Sequence, residues 1–256
     1  MSNLHHFIWP EVSTTDAAKA VAFYSALFGW TDMPVMEGGY HIFQIGGKDV
    51  GGLYQLMPEQ IARGVKPHWL NYVAVESSDA AASKAKGLGG TVLNEPFDVP
   101  GVGRMAVIQD PTGATFCLWQ DAGYQGEPAT GLGTHCWTEL ASTDRSSALA
   151  FYQAMFGWVR NEGEPKDGFD YAELSFGGSQ PQPLIGAYQI GPEMGPMPSQ
   201  WMNYFEVADC DGMAAKAQGL GGSLFMPPTD IPDVGRFCVI SDPFGASFAA
   251  VKLLPR

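Results

Sequence analysis

Two glutamates hold matching places in this chain, Glu11 in Trp9-x-Glu11 and Glu139 in Trp137-x-Glu139. A carboxylate next to an indole on a short apolar stretch can serve three ends. It can be a general base with a raised pKa, a hydrogen-bond acceptor for a ligand, or half of a structural ion pair. Arg104 and Arg236 recur in matching places and are the candidate partners for the third role, or else solvated strand-entry arginines. Other reactive side chains form no pattern. His5, His6, His41, His68 and His135 show no ligand spacing beyond the adjacent terminal pair. Cys117, Cys136, Cys210 and Cys238 make no C-x-x-C motif. The Gly-Gly pairs read as turns, since no Gly-x-Gly-x-x-Gly opens a helix.

The glutamates match because the chain repeats itself. Trp9-x-Glu11-x-x-x-Thr15-Asp16, Phe23-Tyr24 and Phe28-Gly29-Trp30 return 128 residues later as Trp137-x-Glu139-x-x-x-Thr143-Asp144, Phe151-Tyr152 and Phe156-Gly157-Trp158, with 12 of 22 positions identical. Further echoes pair Trp69-Leu70-Asn71-Tyr72 with Trp201-Met202-Asn203-Tyr204, and Asp110-Pro111-Thr112-Gly113-Ala114 with Asp242-Pro243-Phe244-Gly245-Ala246. A repeat of domain length means two copies of one fold, so a binding site is expected twice in diverged form.

The elements that carry these residues follow from local pattern. Residues 7–12 are β-prone, Ser13-Thr14-Thr15-Asp16 offers N-cap side chains, and residues 17–28 place Ala20, Phe23, Tyr24, Leu27 and Phe28 at helical spacing before a Gly29 stop. Short strand-like runs follow at 31–36, 40–45 and 50–56, punctuated by Gly38-Gly39 and Gly46-Gly47. The order strand, helix, strand, strand, strand then returns more faintly: 68–75, a helix at 79–88, and strands at 91–97, 104–109 and 115–120. The whole chain is therefore four βαβββ modules.

Composition sets outer bounds. At 256 residues with 45% apolar side chains the chain can form two ordinary domains, each with its own core. A net charge of −13 argues against a nucleic-acid partner. No apolar run suits a membrane span, and the N-terminus carries no secretory pattern. Sparse cysteines fit buried thiols in a reducing cytoplasm, the expected location.

Paired βαβββ modules bearing Asp-helix-Phe-Tyr-x-x-x-Phe-Gly-Trp and closed by Asp-Pro-x-Gly-Ala resemble the glyoxalase/bleomycin resistance/dioxygenase group, the vicinal oxygen chelate superfamily, and most closely its two-domain bacterial members of glyoxalase-like or hydroxylase type. The resemblance implies an α+β fold of two tandem domains, residues 1–121 and 134–256 joined by a linker at 122–133. Each domain would be two modules forming a cupped mixed sheet with helices on its convex face. Metal-dependent members place His, Gln or Glu at four positions of the concave face. Here the resemblance puts Trp9 or Trp137 at the first, Leu70 or Met202 at the second, and Cys117 or Ala249 at the third. The fourth falls near residues 51–54 and 186–189, which hold no carboxylate or imidazole. Divalent metals need such donors, so no metal and no cofactor is expected.

Strand side chains alternate, so residues two apart share the cup. Glu11 then lies beside Trp9, Tyr72 beside Leu70, Trp119 beside Cys117, Glu139 beside Trp137 and Tyr204 beside Met202, unless a bulge turns Trp69 or Asn71 inward. Such a hollow is aromatic-walled, with one carboxylate and one phenol per copy, and suits a small molecule. A carboxylate there costs several kcal/mol unless paired or protonated. Two functions are expected from this. One is metal-free binding of a small, aromatic molecule. The other is lyase, isomerase or hydrolase chemistry with Glu11 or Glu139 as general acid/base, metal-dependent dioxygenase or glyoxalase chemistry being remote. Because modules of this group can pair across chains, a homodimer is left open.

Overall fold

A computed structural model of the chain describes residues 4–36, 39–123, 126–161, 171–176 and 185–255. Gly38 of one expected turn and residues 124–125 of the expected linker lie outside these.

The first module runs β1 (Phe7–Thr14), α1 (Ala17–Phe28), β2 (Thr31–Met36), β3 (Tyr40–Ile45) and β4 (Lys48–Gln55). A short helix α2 (Pro58–Ala62) crosses the first Pro-rich connection to β5 (His68–Ala74), α3 (Ser78–Gly87), β6 (Thr91–Val99), β7 (Gly103–Gln109) and β8 (Thr115–Asp121). The second half repeats the order as β9 (His135–Ser142), α4 (Arg145–Phe156), β10 (Val159–Asn161), β11 (Tyr171–Ser175), β12 (Ile185–Gln189), β13 (Gln200–Glu206), α5 (Cys210–Gly219), β14 (Ser223–Ile231), β15 (Gly235–Ser241) and β16 (Ser247–Leu253). A single 3-10 turn at Pro192–Met194 occupies the second Pro-rich connection.

Each half of the chain makes one eight-stranded mixed sheet, ordered β2-β3-β4-β1-β5-β8-β7-β6 and β10-β11-β12-β9-β13-β16-β15-β14. Parallel pairs (β1 with β4, β5 with β8) arise because a helix must carry the chain back across the sheet, whereas the remaining strands follow one another antiparallel. The fold is α+β, and the described residues form two sheets of eight strands and five helices.

Helix ends are set by local chemistry. Asp16, Ser77, Asp144 and Asp209 each cap a helix by accepting the backbone N–H three residues on, at 3.0–3.2 Å. Gly29 and Gly157 close α1 and α4 with φ of +78° and +72°, a left-handed turn that glycine adopts without strain. Lysines finish these two ends. Lys216 Nζ donates to the Leu27 carbonyl at 3.1 Å and Lys84 Nζ to the Met155 carbonyl at 2.8 Å.

The cores do not follow the sheets. One compact unit gathers residues 1–8, 71–125 and 137–202, and the other 9–70, 126–136 and 203–256. Each half was expected to hold its own core. Instead the first module shares its core with the fourth, and the second with the third. The repeated motifs explain why. In one unit the Tyr24 hydroxyl of α1 donates at 2.8 Å to Asp242 of the Asp-Pro-x-Gly turn before β16. In the other, Tyr152 of α4 lies beside Asp110, whose charge helps burial keep that phenol protonated. The copies have settled differently. Trp201 donates its indole N–H to Tyr152 at 2.9 Å, and Tyr24 donates to Asp242 at 2.8 Å. The tryptophans of the Phe-Gly-Trp motif are buried, and each satisfies its N–H on a backbone carbonyl: Trp30 on Gly133 at 2.9 Å, Trp158 on His5 at 2.8 Å. Gly133 of the expected linker is thereby fastened to a core tryptophan.

Candidate functional site

Register brings a tyrosine to each glutamate. In the first module Glu11 of β1 stands opposite Gly52 of the parallel strand β4, and β3 runs antiparallel to β4 with Tyr40 opposite Tyr54. Opposed residues share a face, so Trp9, Glu11, Tyr40 and Tyr54 lie on one side of the sheet. Trp9 Nε1 donates to Tyr40 Oη at 3.1 Å, and Tyr40 Oη donates to Glu11 Oε2 at 2.7 Å. The second half reproduces the arrangement. Glu139 of β9 is opposite Gly186 of β12, and Tyr171 of β11 is opposite Tyr188. Trp137 Nε1 reaches Tyr171 Oη at 3.2 Å, which donates to Glu139 Oε2 at 2.7 Å. Both chains of three side chains lie wholly within one compact unit each.

The glycines make this possible. A Cβ on Gly52 would overlap the Tyr40 hydroxyl and sit 2.9 Å from Trp9 Nε1. On Gly186 it would overlap the Tyr171 hydroxyl and sit 3.0 Å from Trp137 Nε1. The phenol thus fills the volume that a side chain on the facing strand would take. Both glycines fall in the stretches, 51–54 and 186–189, near which the resemblance puts the fourth ligand position.

The direction of each hydrogen-bond chain is fixed. An indole N–H can only donate, so the phenol oxygen accepts from it and turns its own hydrogen to the carboxylate. At 2.7 Å the phenol–carboxylate contact is short, as charge-assisted bonds are. Burial, and then the charge of Glu139, holds the Tyr171 phenol well above its ordinary pKa, and the same two causes push Tyr188 up to about 12. Both phenols stay protonated at neutral pH.

The arginines go elsewhere. Arg104 bonds Asp79 at 2.7 Å and Asp98 at 2.8 Å, and Arg236 bonds Asp211 and Asp230 at the same distances. They clamp helix α3 or α5 to a neighbouring strand, so they are not the partners of Glu11 and Glu139 that the sequence suggested. Each acidic partner repeats with its arginine, Asp98 and Asp230 six residues before it in both halves.

The other expected site residues fall as follows. Tyr72 stands opposite Cys117 on parallel strands β5 and β8, with its ring 6.0 Å from Trp119 in an edge-on arrangement and its hydroxyl 4.0 Å from Met105 Sδ. Tyr204 stands opposite Ala249 and stacks on Phe237 at 6.2 Å. Leu70, Tyr72, Cys117 and Tyr204 are buried; Trp119 and Met202 are half-buried. Trp9 is therefore brought together with Glu11, Trp137 with Glu139, and Tyr72 with Cys117 and Trp119. Tyr40, Tyr54, Tyr171 and Tyr188 were missed from sequence. Their signal was the recurrence of a tyrosine opening the third strand of both halves, opposite a second tyrosine on the next.

A metal centre does not fit these residues. Indole, isobutyl, thioether and methyl groups offer divalent first-row metals no strong donor, and Cys117 adds a single buried thiol in the first half, short of the three or four ligands a metal site needs. Among the described residues no three His, Cys, Asp or Glu side chains converge as a metal ion requires. All four cysteines are thiols. No helix among the described residues is long and apolar enough to cross a membrane.

Comparison with known proteins places this geometry. A family model described as "Glyoxalase-like domain" matches residues 10–119, and the "Glyoxalase/Bleomycin resistance protein/Dioxygenase superfamily" model matches 126–249. A Mycobacterium tuberculosis protein named "Putative glyoxylase CFP32" is 39% identical over 97% of this chain and 95% of its own length. The "Anthracycline biosynthesis protein DnrV" of Streptomyces peucetius is 33% identical over 96% of this chain and 92% of its own. In fold the chain is similar to the Mn(II)-bound glyoxalase of Novosphingobium aromaticivorans, with a TM-score of 0.68 and 15% identity over 100% of this chain and 84% of that one. It is equally similar to the 2,3-dioxygenase LapB of Pseudomonas sp. KL28, with a TM-score of 0.68 and 12% identity over 98% of this chain and 93% of that one. At these identities the likeness speaks to fold alone. Sequence and fold together make the chain a member of the glyoxalase/bleomycin resistance protein/dioxygenase superfamily, with two tandem domains.

Proposed function

We propose that the protein binds a small aromatic molecule without a metal ion, at the two Trp–Tyr–Glu constellations. The observation that carries this reading is the pair of matched hydrogen-bond chains. In each, an indole donates to a phenol that in turn donates to one carboxylate, which is thereby oriented. Flat apolar walls with a few fixed polar groups are the usual make-up of a site for a planar ligand. The relative named for anthracycline biosynthesis supports a polycyclic aromatic compound as the first probe. The 2.7 Å phenol–carboxylate bonds support a second reading. A carboxylate whose position is set by a neighbour can take a proton from a bound substrate, so Glu11 or Glu139 would serve as general base in a metal-independent lyase, isomerase or hydrolase.

Trp9 and Trp137 should report binding. Titration with an anthracycline should quench or shift indole fluorescence, and Trp137→Ala or Trp9→Ala should weaken binding by about 1–3 kcal/mol at its own site. Unchanged affinity in both variants, with circular dichroism intact, returns these residues to simple packing.

The donor set carries a second expectation. Protein purified without added metal should hold no stoichiometric Zn, Ni, Fe or Mn by elemental analysis. One transition metal per domain, kept through dialysis against a weak chelator, would refute the metal-free reading.

A further inference from the structure

We infer that a cavity of about 200 Å³ between α3 and the end of α4 is a further binding site, and that it takes a small arylalkylamine, one aromatic ring carrying a cationic amine on a short chain. The site shares no residue with the two Trp–Tyr–Glu constellations, and the inference does not depend on what they bind.

Met155 and Phe156, the last two residues of α4 and both buried, line the cavity together with Val75 and Ala81. Its polar groups come from His5, Glu76 and Lys84. The matching positions in the other half of the chain show which of these are particular to this site. Lys84 and Lys216 correspond and do the same work, each holding the carbonyl of a helix's last residue but one, Met155 at 2.8 Å and Leu27 at 3.1 Å. Three places differ. Met213 stands where the first half has Ala81, and it packs on the core of its own unit. Ala208 stands in place of Glu76, and Gly133 in place of His5. The cavity is thus room left by a shorter side chain, and a carboxylate and an imidazole have been added to it.

His5 is there at a cost. Its backbone N–H donates to the Ala74 carbonyl at 2.8 Å and its carbonyl accepts the Trp158 indole at 2.8 Å, as Gly133 does with Glu206 at 2.7 Å and Trp30 at 2.9 Å. Both residues are left-handed, with φ of +65° and +79°, a region that suits glycine and strains a residue with a Cβ. Glycine serves the backbone bonds equally well, so they do not account for the imidazole. The ring lies 5.7 Å from that of Phe156, and its nitrogens bond no described residue.

Size and charge define the ligand. An apolar cavity of about 150 Å³ holds benzene, so this one has room for a single ring and a short chain. Met155 and Phe156 offer that ring a thioether and an aromatic face. The Glu76 carboxylate is exposed and has no hydrogen bond or ion pair with any described residue. Lys84 is two turns further along α3 with its ammonium on the Met155 carbonyl, so it does not neutralise Glu76. A ligand ammonium would complement that carboxylate and could donate to an unprotonated nitrogen of His5, whereas an anion would be repelled.

The test titrates phenethylamine and its neutral analogue phenethyl alcohol into the wild-type protein at neutral pH and low salt, following backbone amide shifts by NMR. The amine should bind with a Kd in about the millimolar range, as suits so small a ligand, and should shift amides of residues 75–84. It should bind roughly three- to tenfold more tightly than the alcohol, the worth of one exposed ion pair. Glu76→Ala should remove that preference and leave the alcohol's affinity unchanged. Ala81→Met, which copies the other half, should abolish binding of both. Amide shifts that avoid residues 75–84, or no binding at all, overturn the site without need of any variant. Equal wild-type affinity for amine and alcohol overturns the assignment of a cation. Amine binding undiminished in Ala81→Met also overturns the site.

Discussion

Asp242→Ala is expected to cost about 3 kcal/mol or more and to lower the melting temperature by on the order of 10 °C. The residue is almost fully buried and does two jobs with its two oxygens. Oδ1 accepts the backbone N–H groups of Phe244, Gly245 and Ala246 at 2.8–2.9 Å, which holds the turn. Oδ2 accepts the Tyr24 hydroxyl at 2.8 Å, which ties helix α1 of the first module to the fourth. Alanine would leave a buried phenol and the Phe244 and Ala246 N–H groups without their side-chain acceptor, while Gly245 keeps the Asp242 backbone carbonyl at 3.1 Å, and an unsatisfied buried donor costs more than the bond it once made. Asp242→Asn keeps an oxygen for the turn and should lose far less. The two variants also separate by pH. Burial raises the Asp242 pKa more than its hydrogen bonds lower it, so the native state holds this proton more tightly than the unfolded chain. Its contribution is therefore present below the ordinary aspartate pKa and is lost as pH rises through the raised one. Wild type should lose stability relative to Asp242→Asn across that mildly acidic window. Denaturant melts of the three proteins at several pH values check both expectations. An Asp242→Ala variant as stable as the wild type would mean that the turn and the helix do not depend on this side chain.

That aspartate also shows where sequence reading stops. Periodicity and caps were enough to place α1 at Ala17–Phe28, β2 at Thr31–Met36 and β3 at Tyr40–Ile45, because each depends on neighbours in the chain. Asp-Pro-x-Gly was legible as a turn for the same reason. Its bond to a tyrosine 218 residues away was not, since nothing local distinguishes an aspartate that caps only its own turn from one that also receives a phenol. The sharing of cores between the first and fourth modules follows from such distant bonds and was equally hidden. The candidate site divides in the same manner. Alternation along β1 put Trp9 and Glu11 on one face, and their joint contact with Tyr40 agrees with that. The tyrosine itself arrives through two strand pairings, β1 with β4 and β4 with β3, and no spacing rule reaches across both. Charge complementarity suggested Arg104 for the carboxylate. The arginine found Asp79 and Asp98, exposed and close by, where ion pairing requires no desolvation of a buried glutamate.

Gly186→Ala tests the candidate site without touching any group that does chemistry. On a strand backbone of ordinary conformation, replacing glycine by alanine normally stabilises a protein, by roughly 0.5–1 kcal/mol. Here the sign should reverse. The new Cβ would occupy the place of the Tyr171 hydroxyl, with the Trp137 indole nitrogen only 3.0 Å away, so the phenol must leave. Overpacking of this kind costs about 1–3 kcal/mol. Once displaced, Tyr171 can no longer donate to Glu139 or accept from Trp137, and the oriented carboxylate is lost with the bonds that orient it. Ligand binding at this site should fall at least tenfold, about the worth of one hydrogen bond to a charged group. A double-mutant cycle separates this clash from any other effect of the added methyl. In a Tyr171→Ala background the alanine at position 186 meets no phenol, so its penalty should shrink by most of its value. An equal penalty in both backgrounds would show that the glycine is needed for some reason other than the tyrosine. Gly52→Ala should behave alike through Tyr40 and Trp9, with Glu11 losing its donor in turn. The glycine on the facing strand, the tyrosine that leans over it and the glutamate it holds would then be one functional unit, present twice.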